Sequence, residues 1–267
     1  MPSNKKVTGP DGTWIEFDEA AHRYFTDYGN GDFVVDYTSV TTLVNKYFKP
    51  FDSAFHAARV AARDGISPEA VLAKWKAKKE YSTTVGTRVH EVCEDVLRGR
   101  PIRNTPNDEH ERKLMKQGWT AATEVKKKMK IFDIESIIFD VCIRVAGTAD
   151  LLAYDVPGTL WVLDWKTNET FDMESQYGQY GIGPLSHLQD CDAVHYGLQL
   201  SFYEYMLKKK GYIDKKTQIR RAAIHIMEDE FKTIPLPSYA VEVRDIVIAN
   251  CLDEDPFASS GKEFSIR

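Results

Sequence analysis

Apolar and polar positions change their period twice along the chain. TWIEFDEAAHRYF (13–25) and the following TDYGNGDFVVDYTSV alternate around a Gly-Asn-Gly turn at 29–31, which predicts a β-hairpin or meander. The period then becomes helical. Ser39 is placed to cap VTTLVNKYF, Pro50 closes that piece, FDSAFHAARVAARDG stops at Gly65, and Ser67-Pro68 opens a further helix with proline in its first turn. In TTVGTRVHEVCEDVLRG, Val85, Val89, Val92, Cys93 and Val96 recur at helical spacing and Gly99 follows, predicting a helix over 84–98. Residues 106–130 predict a long amphipathic helix with acids in its first turn and lysines in its last.

The period then falls to two. IESIIFDVCIRV (134–145), AGTADLLAYD (146–155) and TLWVLDWKT (159–167) predict three successive strands, the last two joined by Asp-Val-Pro-Gly. A helix near 189–209, a strand at 220–227 and a helix near 238–252 follow, with a flexible tail over 253–267. The order predicts an α/β fold: a mixed central sheet of four or five core strands flanked by helices, with an N-terminal hairpin and a helical arch over a cleft. We expect one domain over 1–267, in which 1–130 form the hairpin and helical region and 131–252 the core.

Composition narrows the function. With 267 residues, 43% of them apolar, the chain can bury a real core. No run approaches the roughly 18 apolar residues of a membrane span, and the polar start MPSNKKVTGPDG is unlike a signal peptide, so the expected place is the cytoplasm. Cys93, Cys142, Cys191 and Cys251 are scattered with no CxxC pair, which argues against a zinc ribbon or disulfide framework and predicts reduced, mostly buried thiols. A net charge of -5 argues against a protein that coats nucleic acid nonspecifically. Four basic runs (75–79, 126–130, 208–210, 218–221) either guide a polyanion locally or are solvated helix faces.

The strongest chemical signal is Asp164-Trp165-Lys166 at the end of LWVLDWKT, with Asp150 on the preceding strand. Residues two apart in a strand share a face, so the Asp164 carboxylate and Lys166 ammonium emerge together, at a cost unless paired. In a hairpin centred on Pro157, Asp150 falls opposite Asp164, about 5 Å away at Cβ, and the two acids can share a hard cation. A two-residue turn without a bulge would put them on opposite faces, so a shared site demands an odd loop or a β-bulge. His90 and Glu94, four apart, share a face of the helix over 84–98 and can point to the strand ends.

Five segments together resemble the RecB-type PD-(D/E)XK exonucleases: SVTTLVNKYFKPFD (39–52), GTRVHEVCEDVLRG (86–99), IESIIFDVCIRVAGTADLLAY (134–154), LWVLDWKT (160–167) and GLQLSFYEYML (197–207). That superfamily includes bacterial recombination nucleases, Cas4-like proteins, phage exonucleases and the mitochondrial genome maintenance exonuclease. The resemblance implies a restriction-endonuclease-like core and metal-dependent hydrolysis of DNA. It assigns His90, Asp150, Asp164 and the Trp165 carbonyl to a Mg²⁺ or Mn²⁺ ion, and Lys166 to orienting the attacking water or stabilising the transition state. Glu135 matches a glutamate on the first core strand of many relatives, and Gln199 and Tyr203 match a Q-x-x-x-Y signature that supports the site or touches the DNA backbone. Glu94 is either support for the metal or a surface acid. Tyr47, Phe48 and Phe51 are read as core rather than base-stacking residues. Some relatives carry an iron–sulfur cluster through a C-terminal cysteine group, which is lacking here, so no cluster is expected. The implied partners are single-stranded or duplex DNA ends and a replication or recombination protein, with a phage source fitting a compact, standalone enzyme. A DNA-binding module without catalysis and a structure-specific or RNA-directed endonuclease are the alternatives.

Overall fold

The computed structural model describes residues 5–253 except 30, 32 and 157. The predicted tail from 254 onward, and part of the Gly-Asn-Gly turn, lie outside the described residues. An antiparallel meander comes first, made of β1 (Lys5–Thr8), β2 (Trp14–Asp18), β3 (Arg23–Asp27) and β4 (Val34–Ser39). β1 was not foreseen, because KKVT is short and polar. Ser39 caps α1 (Val40–Asn45), its hydroxyl accepting from the Thr42 amide at 3.0 Å. α2 (Ser53–Asp64) ends at Gly65, whose φ of 67° is the left-handed cap that glycine supplies without strain.

α3 (Pro68–Arg98) runs unbroken for 31 residues and joins the two helices predicted over this stretch. Its interior glycine is tolerated because a Cβ on Gly86 would stand 3.1 Å from the Thr167 hydroxyl, so helix and strand end meet there. α4 (Glu109–Lys128) is shorter than predicted. β5 (Lys130–Asp140) therefore begins earlier than expected, and it also ends earlier. The Asp140 carboxylate accepts from the Cys142 amide at 2.9 Å and starts a turn over 141–144 before β6 (Val145–Val156). β7 (Thr159–Lys166), α5 (Asp192–Lys209), β8 (Gln218–Ile226), β9 (Phe231–Pro235) and α6 (Ala240–Asp253) complete the order. The sequence shows no strand alternation in β9, an edge strand with an exposed pattern.

The fold is a mixed α/β sheet between helical layers. β5, β6 and β7 are antiparallel neighbours, β7 pairs β8 in parallel through the α5 crossover, and β9 closes the edge. On one face Leu152, Leu160, Val162 and Ala223 pack against α1, α5 and α6; on the other Leu151, Leu163, Trp165 and Ile224 pack against α3 and α4. Each fully buried Leu or Val here contributes about 1.5–3 kcal/mol. The α2 and α3 N-terminal turns carry a small core of their own, Ala57, Ala61 and Val71. Phe48 is buried, but Phe51 is 66% exposed, against the core reading, because it stands in the link to α2 beyond the last turn of α1. Two of the four free thiols, Cys142 and Cys251, are exposed, so the cysteines are not mostly buried. No described helix is long and apolar enough to cross a membrane.

One irregularity positions the site. β6 pairs β5 along nearly its whole length, but its other edge is shared: β4 takes Val145 and Ala146, and β7 takes residues from Leu151 onward. Residues 147–150 have no ladder partner on that edge, so the sheet opens there. Tyr203 from α5 fills part of the opening, approaching Gly147 so closely that a Cβ would lie 2.7 Å from its Cε1. Only glycine leaves room for that ring.

Candidate active site

Asp150 stands at the end of the opening. The β6–β7 register pairs Leu151 with Leu163, and continuing it by one residue sets Asp150 across from Asp164. The shift that allows this lies between Tyr154↔Leu160 and Val156↔Thr159, an irregularity beside the turn that converts an even connection into the odd register a shared face requires. On the other side, Ile134↔Leu151 and Ser136↔Ala149 bracket Glu135 and Asp150, so three acids from three strands lie abreast. Glu135 reaches this place with φ 54°, a left-handed conformation that costs a non-glycine residue about 1–3 kcal/mol.

His90 approaches from α3. Its Nε2 is 3.0 Å from the Trp165 carbonyl oxygen and its Nδ1 3.5 Å from Asp150 Oδ2. That Asp150 oxygen also accepts from the Trp165 amide at 2.8 Å, while the Trp165 ring is buried in the opposite layer. Ligand-type atoms of His90, Glu135 and Asp150 all lie within 4.8 Å of one another. Asp164 flanks this group, 3% exposed, with its carboxylate ion-paired to Lys166.

The electrostatics match a site built for a cation. Burial, then repulsion from Asp164, raises the Asp150 carboxyl above the usual carboxylate range; burial, then repulsion from Asp150, Glu94 and Asp164, raises Glu135. Burial opposes the Lys166 charge, but Asp164 and Asp150 outweigh it and hold the ammonium protonated. An imidazole nitrogen and crowded carboxylate oxygens are the donor set of Mg²⁺, Mn²⁺ or a similar divalent ion, so the residues present fit such a group.

Three other residues named by the sequence reading surround the cluster rather than join it. Glu94 accepts from Arg98 at 2.7 Å and Arg103 at 3.3 Å, so arginines rather than the central group occupy it. Gln199 donates to the Tyr203 hydroxyl at 3.2 Å; both line the cleft without joining the acidic cluster. The basic runs over 208–210 and 218–221 are drawn into ion pairs within the fold, Lys209 with Asp140 and Arg221 with Glu204. In the run over 75–79, Lys78 lines the cleft and pairs with Glu169 at 2.9 Å.

The sequence reading missed Tyr196, whose ring lies 4.3 Å from the Lys166 ammonium. The available signal was spacing, since 196, 199 and 203 share one stripe of α5. It also missed Tyr24 of β3, whose hydroxyl is 2.8 Å from that of Thr148, two residues from Asp150.

The cluster lies in a cleft of roughly 1550 Å³, lined from α3, β5, β6, α5 and the N-terminal meander. That exceeds the ordinary range for a small-molecule pocket, about 300–1,000 Å³, and suits a polymer. Residues 60–255 match the PD-(D/E)XK nuclease superfamily, while a comparison with curated proteins finds no match. The match spans α3 to α6 and therefore every residue of the acidic cluster. The chain, with its acids abreast on three strands and a lysine two residues beyond the last, belongs to the PD-(D/E)XK nuclease superfamily.

Proposed function

We propose that this protein is a RecB-type DNA exonuclease that hydrolyses phosphodiester bonds with Mg²⁺ or Mn²⁺. The observation that carries the reading is the meeting of His90, Glu135 and Asp150 within 4.8 Å, beside the Asp164–Lys166 pair, on the wall of a polymer-sized cleft. His90, Glu135, Asp150, Asp164 and the Trp165 carbonyl would hold the ion. Bound there, it supplies Lewis-acid neutralisation of phosphate charge and a more acidic water. The chain's own groups supply the rest. The Lys166 ammonium, kept charged and aimed by Asp164, holds an attacking water or meets charge developing on a phosphoryl oxygen. Gln199 and Tyr203 fix the opened edge of β6 and contact the backbone of the strand. The reading carries with it a place among DNA ends in replication, recombination or genome processing in the cytoplasm.

End-labelled linear DNA and circular DNA, each with Mg²⁺ and with Mn²⁺, test it. Release of mononucleotides or short products from linear strands, with circles intact, is expected. Asp164→Ala and Lys166→Ala each lower cleavage by about a hundredfold or more while DNA binding persists. Cutting of circles would make the protein an endonuclease. Binding without cutting by the unaltered chain would make it a noncatalytic module.

A further inference from the structure

The N-terminal meander brings three rings to the wall of the same cleft. Phe17 on β2 stacks on Tyr24 of β3 at 4.7 Å and 24°, and His22, from the turn between these strands, sets its ring edgewise to Phe17 at 5.5 Å. All three line the cleft that holds His90, Glu135 and Asp150. They precede residue 60, so they lie outside the stretch that matches the nuclease superfamily. None is needed to hold an ion or a water.

Two details suit these rings to a ligand. His22 is exposed and has φ 48°, a left-handed conformation that histidine adopts more readily than most non-glycine residues, and its ring meets Phe17 from the turn. Tyr24 is buried, and its hydroxyl bond to Thr148 at 2.8 Å ties the ring wall to the strand that carries Asp150. The wall and the acids are therefore held at a fixed separation. Charge on the wall is balanced, with Lys5 and Glu19 both lining it, so it offers a polyanion little net attraction and offers an aromatic corner instead, with His22 set at 82° to Phe17.

We propose that Phe17 and His22, backed by Tyr24, hold an unpaired nucleobase of the strand being cut, one ring against its face and the other against its edge. A base presents its face to a protein ring only when it is not stacked within a duplex, so the subsite selects single-stranded DNA or frayed ends. This rests on the nuclease reading and names the form of its substrate.

Equilibrium binding in calcium separates the two. The probes are a fluorescent oligothymidylate and an all-abasic oligonucleotide of the same length and charge. The unaltered protein is expected to bind the thymidylate about tenfold more tightly than the abasic strand. Phe17→Leu with His22→Asn removes both rings, keeping apolar volume at one position and a residue that tolerates left-handed backbone at the other. In that variant the preference falls to about twofold or less, with abasic binding and melting temperature unchanged. His22→Asn alone, at an exposed side chain, lowers the preference by about threefold and covers the case in which the double variant does not fold. Equal affinity of the unaltered protein for the two strands, or a preference that survives loss of the rings, overturns the subsite. Cleavage of the thymidylate in Mn²⁺ is scored separately. Base preference without cleavage leaves the subsite standing and defeats the nuclease reading; cleavage without base preference does the reverse.

Discussion

Lys166 is held from two sides, by the Asp164 carboxylate and by the face of Tyr196 at 4.3 Å. A cation over a tyrosine ring gains about 0.5–2 kcal/mol, and here that attraction also fixes where the ammonium points. Tyr196→Phe keeps the ring and should leave turnover within about twofold, whereas Tyr196→Leu should lower kcat by about three- to tenfold with KM little changed. Steady-state kinetics on single-stranded DNA checks this, and equal losses in both variants would show that the hydroxyl matters rather than the ring. At this scale the sequence was informative about the carboxylates, the lysine and His90, because motif spacing and strand alternation place them. Tyr196 was harder to see because α5 is apolar nearly all round, so its spacing with Gln199 and Tyr203 does not by itself mark it as the aromatic residue that meets a charge.

The opening in β6 depends on small side chains at particular positions. Gly147→Ala would place a methyl 2.7 Å from Tyr203 Cε1 and 3.2 Å from Val40 Cγ2, both in the packed interior. The neighbours must shift, and the substitution should destabilise the fold by about 1–3 kcal/mol, read as a lower urea midpoint with an unchanged slope. The change should also cut activity beyond its effect on folding, because the same shift moves the edge that carries Asp150. Element types along the chain were legible, including the caps at Ser39 and Gly65, since these depend on residues within a few positions of each other. The joining of two predicted helices into α3 was not, because tertiary packing of Gly86 on Thr167 overrides the weak helix preference of TTVG. Glu94 illustrates the same limit: its i,i+4 pairing with Arg98 follows from helical spacing, but Arg100 and Arg103, which also occupy it, come from the segment after α3, whose path no pattern announces.

For the whole molecule, the crowded acids predict a dependence of stability on pH and metal. Folding raises Glu135 to about 8 and Asp150 to about 6, from 4.5 and 3.8, first through burial and then through neighbouring carboxylates. A carboxyl raised in the folded state binds its proton more tightly there. Its stabilising contribution is full below the unfolded values and is lost as pH rises through the folded ones. Acids with lowered values, such as Asp11 at about 2, act at the opposite end, below about pH 4, so the two windows do not overlap. Metal-free protein in chelator should therefore melt at a lower temperature at pH 8 than at pH 5, and Glu135→Gln with Asp150→Asn should flatten that slope. Mn²⁺ at a hundred times its Kd should add about 2.7 kcal/mol, and one fixed Mn²⁺ concentration should add more at pH 8, where the ion displaces fewest protons, than at pH 5. Calorimetry at the two pH values measures all three effects. The sequence by itself determined the α/β layering, the order of the core elements and the residue types of the site, because periodicity and local spacing act over a few residues. Only the tertiary structure decided that β4 and β7 part along β6, that Glu135 joins His90 and Asp150 while Asp164 turns to Lys166, and that an N-terminal sheet walls the cleft. Those arrangements arise from contacts between segments far apart in the chain, such as the 124 residues between Tyr24 and Thr148, and local patterns carry no record of such distances.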